Sequence, residues 1–346
     1  MFSKIFQKII RKKKDLIFLY ILAGLIVIFL VLGFFLFRQG GIAPSIYVYP
    51  ENPKQGDTVF VRIKSDFGAI TGNFKKIIGP EPSFVSTENP DSAQDLIFFR
   101  KNKSLEWVSI FGIDADQASG NYKIFVNAGG AELTKEIKIS VADFSVSPAA
   151  LAPSEKKTGY SAEKAISNIK NNDNPVLAKV LSNFTREPYF KETFFPPLGS
   201  MQAIGFSFGK FIWFTQYKLQ HLGVDLEAFK NTDIHSINDG KVVLTANLSN
   251  YGKTVVIDHG LDIFSLYLHL DEFKVLEGEI VKRGQIIGLS GDTGYATAPH
   301  LHFSIRVGGA RVDPLQFIET SKKIDESFFL ADISQAFLNL INQKLK

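Results

Sequence analysis

His300 and His302 stand two residues apart in the stretch Gly294-Tyr295-Ala296-Thr297-Ala298-Pro299-His300-Leu301-His302-Phe303. Phe303 to Val307 continues it as a β-favouring run. On a strand, positions i and i+2 share a face. The two imidazoles therefore project side by side into one cleft, while Leu301 and Phe303 point into a core. One imidazole can ligate a metal while its neighbour reaches the metal's water. All six histidines of the chain fall between His221 and His302, which concentrates the chemistry in one domain. His221-Leu222-Gly223-Val224-Asp225 spaces an imidazole and a carboxylate by four, so both lie on one face of a helix or a strand. Gly223 and Val224 disfavour the helix, and the segment reads as extended. With a distant third histidine, this is the three-ligand zinc pattern that leaves a position open for water. The helical signature H-E-x-x-H is absent. Phe264 to Leu270 alternates, with Phe264, Leu266, Leu268 and Leu270 on one face and Ser265, Tyr267 and His269 on the other. That polar face, ending in His269, reads as a cleft wall. A lone histidine is ordinarily a packed or surface residue. H-x-x-x-D, then Tyr267-Leu268-His269-Leu270, then H-x-H is hard to explain as packing.

These segments resemble the lysostaphin-like (LytM-type) family of zinc metallopeptidases, which cut peptide cross-links of bacterial cell walls. Ser207-Phe208-Gly209 is similar to the family's opening S-x-F-G, and His221 to Leu226 to its H-x-G-x-D. Asn238 to Val243 resembles its D-G-x-V turn. Tyr251-Gly252 through Gly260, Tyr267 to Leu270, Val281 to Gly288 and the H-L-H-F stretch also match. The resemblance covers roughly residues 190 to 320. It implies Zn2+ as cofactor, held by His221, Asp225 and His302. It implies His300 as general base and His269 as a second catalytic imidazole that orients the water or stabilises the tetrahedral intermediate. His235 and His259 match no catalytic position and read as structural. Two departures are Ala298, where the family often has Gly, and the apolar run Phe211 to Phe214 on the substrate side. The implied function is a zinc metalloendopeptidase acting on peptidoglycan peptides, either stem peptides or cross-bridges. The alternatives are a non-catalytic LytM-like regulator or envelope-binding module acting on other wall hydrolases, and an envelope-assembly protein with a vestigial site. Those roles tolerate loss of ligand residues, and none is missing here.

The elements that must position and deliver this site follow from the rest of the chain. Residues 1–15 are a basic tail, with Lys4, Lys8, Arg11, Lys12, Lys13 and Lys14. Leu16 to Phe37 runs without a charge, about 33 Å of helix, and reads as an uncleaved transmembrane anchor. The basic flank predicts a cytoplasmic N-terminus and an extracytoplasmic catalytic domain on a single-pass membrane protein. Residues 1–38 hold seven basic residues and one acid, so +6 of the net +4, which leaves −2 for the remainder. The basic balance belongs to the membrane flank, and no patch elsewhere suits nucleic acid. The absence of cysteine excludes disulfides and thiolate metal sites.

Residues 45–142 are β-rich and punctuated by turns such as Asn52 to Asp57, which predicts an immunoglobulin-like β-sandwich. Asp114 to Gly120 with Tyr122 resembles the D…G-x-Y corner of such folds. Its aromatics Phe60, Phe98, Phe99, Trp107 and Phe111 read as core. Residues 143–198 form a connector with helices over Ser161 to Ile169, capped by Ser161, and over Val176 to Phe184. Its length and adjacency suggest that it covers the cleft in a latent form. The peptidase domain spans 199–320 as an antiparallel sheet, closed by Asp313-Pro314-Leu315. A C-terminal helix follows over 321–346, with Phe329, Ile333, Phe337, Leu340 and Ile341 on one stripe for packing or for a regulatory envelope partner. The fold class is thus mainly β.

Overall fold

Among the described residues from 45 to 139, the computed structural model forms eight strands. They are β1 (Ser45–Tyr49), β2 (Thr58–Lys64), β3 (Ile70–Lys76), β4 (Gln94–Leu96), β5 (Phe99–Arg100), β6 (Glu106–Gly112), β7 (Gly120–Ala128) and β8 (Ala131–Ile139). The structure describes residues 43–65, 68–76, 93–100, 106–147, 159, 161–204, 207–214 and 217–323. The basic tail, the anchor over 16–37 and the helical stripe beyond residue 323 lie outside the described residues. Among the described residues no helix is long and apolar enough to cross a membrane.

The eight strands make two antiparallel sheets, ordered β1-β2-β6-β5 and β4-β3-β7-β8. Val61, Ile63 and Phe111 from the first sheet meet Phe74, Ile124 and Ile139 from the second in one buried cluster. The Tyr122 hydroxyl donates to the Ala118 carbonyl at 2.7 Å, which fastens the corner before β7.

After β9 (Val146–Ser147) come α1 (Ala162–Asn168), a π-helical turn (Ile169–Asp173) and α2 (Asn174–Leu181). The Ser161 hydroxyl accepts from the Lys164 backbone N–H and caps α1. Eleven strands follow: β10 (Phe211–Phe214), β11 (Tyr217–Gln220), β12 (Val224–Leu226), β13 (Asp233–His235), β14 (Gly240–Leu248), β15 (Gly252–Asp258), β16 (Ile263–Phe273), β17 (Ile280–Val281), β18 (Ile286–Ser290), β19 (Leu301–Val307) and β20 (Ala310–Val312). A helix, α3, occupies residues 314–323, with Asp313 accepting from the Leu315 N–H and Pro314 at its first turn. The main sheet runs β12-β19-β16-β15-β14-β17, with β13-β18 attached to β16 and β20 attached to β19. All of its pairings are antiparallel. A small sheet, β11-β10-β9, lies beside it.

The main sheet has two buried faces. Tyr267, Leu301, Phe303 and Ile305 belong to one cluster, and Leu266, Leu268 and Val256 belong to another that Leu177 of α2 covers. Leu270 sits in the first cluster with Tyr267, not with Leu268. The clean alternation expected from Phe264 to Leu270 therefore breaks. The cause is His269, whose backbone φ is 61°, together with a register shift against β15 and β18. A left-handed residue inside a strand shifts the phase of every residue after it.

Strand β2 is buried on both sides. Val59 and Val61 face the sandwich core, while Phe60 joins Phe99, Val108 and Ile110 in the cluster that includes Ala310, Val312 and Phe317. The sandwich thus docks on β20 and α3. Arg311 holds Asp114 through its backbone N–H at 2.8 Å and through its guanidinium, and it pairs with Asp116 at 2.6 Å. Gln316 exchanges two hydrogen bonds with the backbone of Thr58. The strands pass so closely that a Cβ on Gly112 would meet Ala310 Cβ at 2.7 Å and Val307 O at 2.8 Å. Gly112→Val should therefore cost about 1–3 kcal/mol through overpacking. Calorimetry of the variant will show a lowered unfolding midpoint, and an unchanged midpoint would contradict this docking.

Candidate metal centre

Asp225 and His302 stand directly opposite each other in the antiparallel pair β12–β19. Residues so paired carry their side chains on one face at close range. His221 arrives from the bend before β12, its backbone N–H bonded to the Lys210 carbonyl. Three atoms then converge. His221 Nε2 lies 3.1 Å from Asp225 Oδ1, His302 Nδ1 lies 2.9 Å from the same oxygen, and the two nitrogens are 3.0 Å apart. Gly223 makes the approach feasible. A Cβ there would collide with Ser304 Oγ and would stand 2.5 Å from His302 Nε2.

The outer nitrogens fix which lone pairs face inward. His221 Nδ1 lies 3.3 Å from the Ser207 carbonyl, which can only accept. The Ser304 hydroxyl donates to Leu222 O at 3.0 Å, so its oxygen accepts from His302 Nε2–H at 3.1 Å. Both imidazoles therefore turn an unprotonated nitrogen toward Asp225. Three electron-rich atoms share one small space with no proton left between them, and a cation is the partner this set fits. Ligand atoms around a tetrahedral metal with N and O donors lie about 3.4 Å apart, close to the spacing here. His221, Asp225 and His302 are the one group of three metal-ligating side chains found among the described residues.

Electrostatics agree. Burial pushes His302 down to about 4, outweighing the opposing bond from Asp225, so the ring is neutral at neutral pH.

His269 and His300 flank the trio. Their rings are 4.9 Å apart, and His300 Nε2 is 3.7 Å from Asp225 Oδ1. His300 Nδ1 donates to Ala298 O at 2.9 Å, so position 298 contributes only its carbonyl. His269 Nδ1 donates to Thr293 O at 2.8 Å. Each ring keeps Nε2 as its lone-pair nitrogen. Burial, reinforced by His300 and His302, lowers His269 to about 3. Its φ of 61° is a strained conformation for a residue with a Cβ, of the kind that marks functional sites. His235 and His259 stand apart. His259 is fully enclosed, bonded to Asp239 O and Ser265 Oγ, and burial lowers it to about 4.

Two supporting residues escaped the sequence reading. Ser304 continues the His300-His302 alternation by two more residues, a signal that was available. Thr293 has no such signal, because its carbonyl meets His269 only through the fold.

Residues 219–314 match the family model described as Peptidase family M23. The chain carries a peptidase family M23 domain. Over 96 residues, 28% of this chain and 22% of the relative, it is 43% identical to the peptidoglycan DD-endopeptidase ShyA of Vibrio cholerae. Over 108 residues, 29% of this chain and 22% of the relative, it is 40% identical to lysostaphin of Staphylococcus staphylolyticus. The chain thus spans less than a third of the length of these curated relatives. Beyond the M23 domain, a Pseudomonas aeruginosa structure described as a candidate peptidase M23 shares the fold, with a TM-score of 0.53 and 21% identity over 77% of this chain and 95% of that one.

Ser304→Ala removes the acceptor that holds the His302 tautomer. Competition with a chelator should show about 10- to 100-fold weaker metal binding by the M23 domain, with Ser304→Thr near the parent. Equal affinity for the alanine variant would contradict the outer-bond assignment.

Proposed function

We propose that this chain is a zinc metalloendopeptidase that hydrolyses peptide bonds in bacterial peptidoglycan. The observation that carries the reading is the convergence of His221, Asp225 and His302 with the two further imidazoles of His269 and His300 beside them. His221 Nε2, Asp225 Oδ1 and His302 Nδ1 would hold the metal. A bound zinc polarises the scissile carbonyl and lowers the pKa of its water to about 7.

The chain's own residues supply the proton path. His300, whose Nδ1–H is given to the Ala298 carbonyl, presents Nε2 to take the proton of the attacking water and return it to the departing amine. His269 cannot donate from Nε2 while Nδ1–H is given to Thr293. In this tautomer it accepts a hydrogen and orients the water, and only after gaining a proton does it stabilise an oxyanion. Its low proton affinity keeps it in the accepting form. The names of the M23 relatives, which include peptidoglycan DD-endopeptidases, support peptidoglycan peptides as substrate. The regulatory alternative is not favoured, because all five residues that catalysis needs are present and clustered. We also propose that residues 16–37 anchor the chain and leave the domain outside the membrane, where peptidoglycan lies.

His300→Ala should retain bound zinc and lose about 100-fold or more of turnover on purified peptidoglycan, followed as release of free amino groups. Undiminished release by this variant would remove His300 from the proposed proton path. No release by the parent chain would set aside the endopeptidase reading.

A further inference from the structure

Asp173 closes the π-helical turn between α1 and α2 and is 1% exposed. It lies inside a continuous helical run, with helical φ and ψ of −77° and −49°, and makes no side-chain bond to its own helix. Its carboxylate reaches instead across to the β14–β15 turn. Oδ1 accepts from Ser249 N at 2.9 Å, and Oδ2 accepts from Asn250 N at 2.7 Å and Tyr251 N at 3.3 Å. Three successive backbone N–H groups thus enclose one anion, a nest built into the turn. Two neutral bonds tie the same parts together, Asn250 Nδ2 to Ala165 O and Tyr251 OH to Asn174 Oδ1.

That turn holds His269. Tyr251 O accepts the His269 backbone N–H at 3.0 Å, where φ is strained. Asn250 O accepts Tyr295 N at 2.7 Å, fixing the loop whose Thr293 carbonyl takes His269 Nδ1–H. Thr293 Oγ1 is itself bound to Lys253 N and Leu270 O. Both groups that orient His269 therefore hang from the turn that Asp173 grips. π-helical turns are rare and concentrate at functional sites. This one rotates a buried carboxylate toward the turn and away from its own helix.

We infer that Asp173 is a positioning residue for His269: through the 249–251 turn it holds the ring in its Nδ1–H tautomer at the site edge. The claim rests on the proposed role of His269 in hydrolysis. Asp173→Asn replaces an acceptor oxygen with an amide that faces donors. The test uses the full 346-residue chain, metal-free and labelled with 15N-histidine, and reads the ring nitrogens by NMR. Asp173→Asn should move the His269 ring signals out of the single-tautomer pattern while His235 and His259 stay in place. In the zinc-loaded chain kcat should fall about 10- to 100-fold with zinc content unchanged, and KM should stay within about twofold. Unmoved His269 signals, or a kcat loss that follows lost zinc, would overturn the inference. If the variant loses the His259 signals and so fails to fold, Asn250→Ala decides. It removes the neutral tie to Ala165 and must shift His269 in the same direction, and no shift overturns the claim. A parent chain without cleavage would end the endopeptidase reading, while the ring signals would still decide the positioning claim.

Discussion

Three lone-pair atoms within 3.1 Å of one another are the constraint on which the rest of this structure depends. Such a cluster is repulsive unless a cation sits in it, and it persists only where the backbone leaves no alternative. Here β12 and β19 enforce it by placing Asp225 opposite His302. Gly223 lets the incoming chain pass against His302 and Ser304. Ser304 and the Ser207 carbonyl then fix the protons on the outside. Each device is ordinary strand chemistry, and together they gather one carboxylate oxygen and two ring nitrogens in one pocket.

The edge of the site that carries His300 and His269 is built differently. His300 shares its face with His302 by simple alternation, so it costs the fold nothing. His269 does not. Regular pleating would carry it to the core side with Tyr267, and a left-handed backbone turns it outward. That conformation is unfavourable in isolation by about 1–3 kcal/mol. It is held by bonds to Tyr251 and Thr293, and through that turn by the helices that precede the domain. The helices also cover the sheet face that carries Leu266 and Leu268. A segment that reads as a connector thus supports the site.

Much of this was legible from residue types. His300 and His302 announced their shared face through strand spacing, whereas His221 stands before β12 and reaches Asp225 through the bend at Gly223. The Ser161 cap and the Tyr122 corner each follow from local side-chain chemistry, whereas the helix that starts at Pro314 was read only as a closing D-P-L element. What could not be read was tertiary. The phase shift at His269 has no glycine to mark it, so the alternation from Phe264 to Leu270 looked intact. Asp173 carried no signal in the sequence, and only the fold shows its carboxylate given to another turn. The docking of the sandwich left one trace, three consecutive apolar residues at Val59-Phe60-Val61, where a one-sided strand would alternate. The pairing of Arg311 with Asp114, 197 residues away, left none.

The central claim is that two imidazoles and one carboxylate hold the metal while two further imidazoles stay free for proton transfer. X-ray absorption at the zinc edge of the loaded full-length chain tests this most directly. The account predicts about two imidazole nitrogens per zinc with oxygen donors completing the shell, at about 2.0–2.2 Å. A shell with three or more imidazoles would place His300 or His269 among the ligands, and a chain that takes up no zinc would remove the metal from the account altogether.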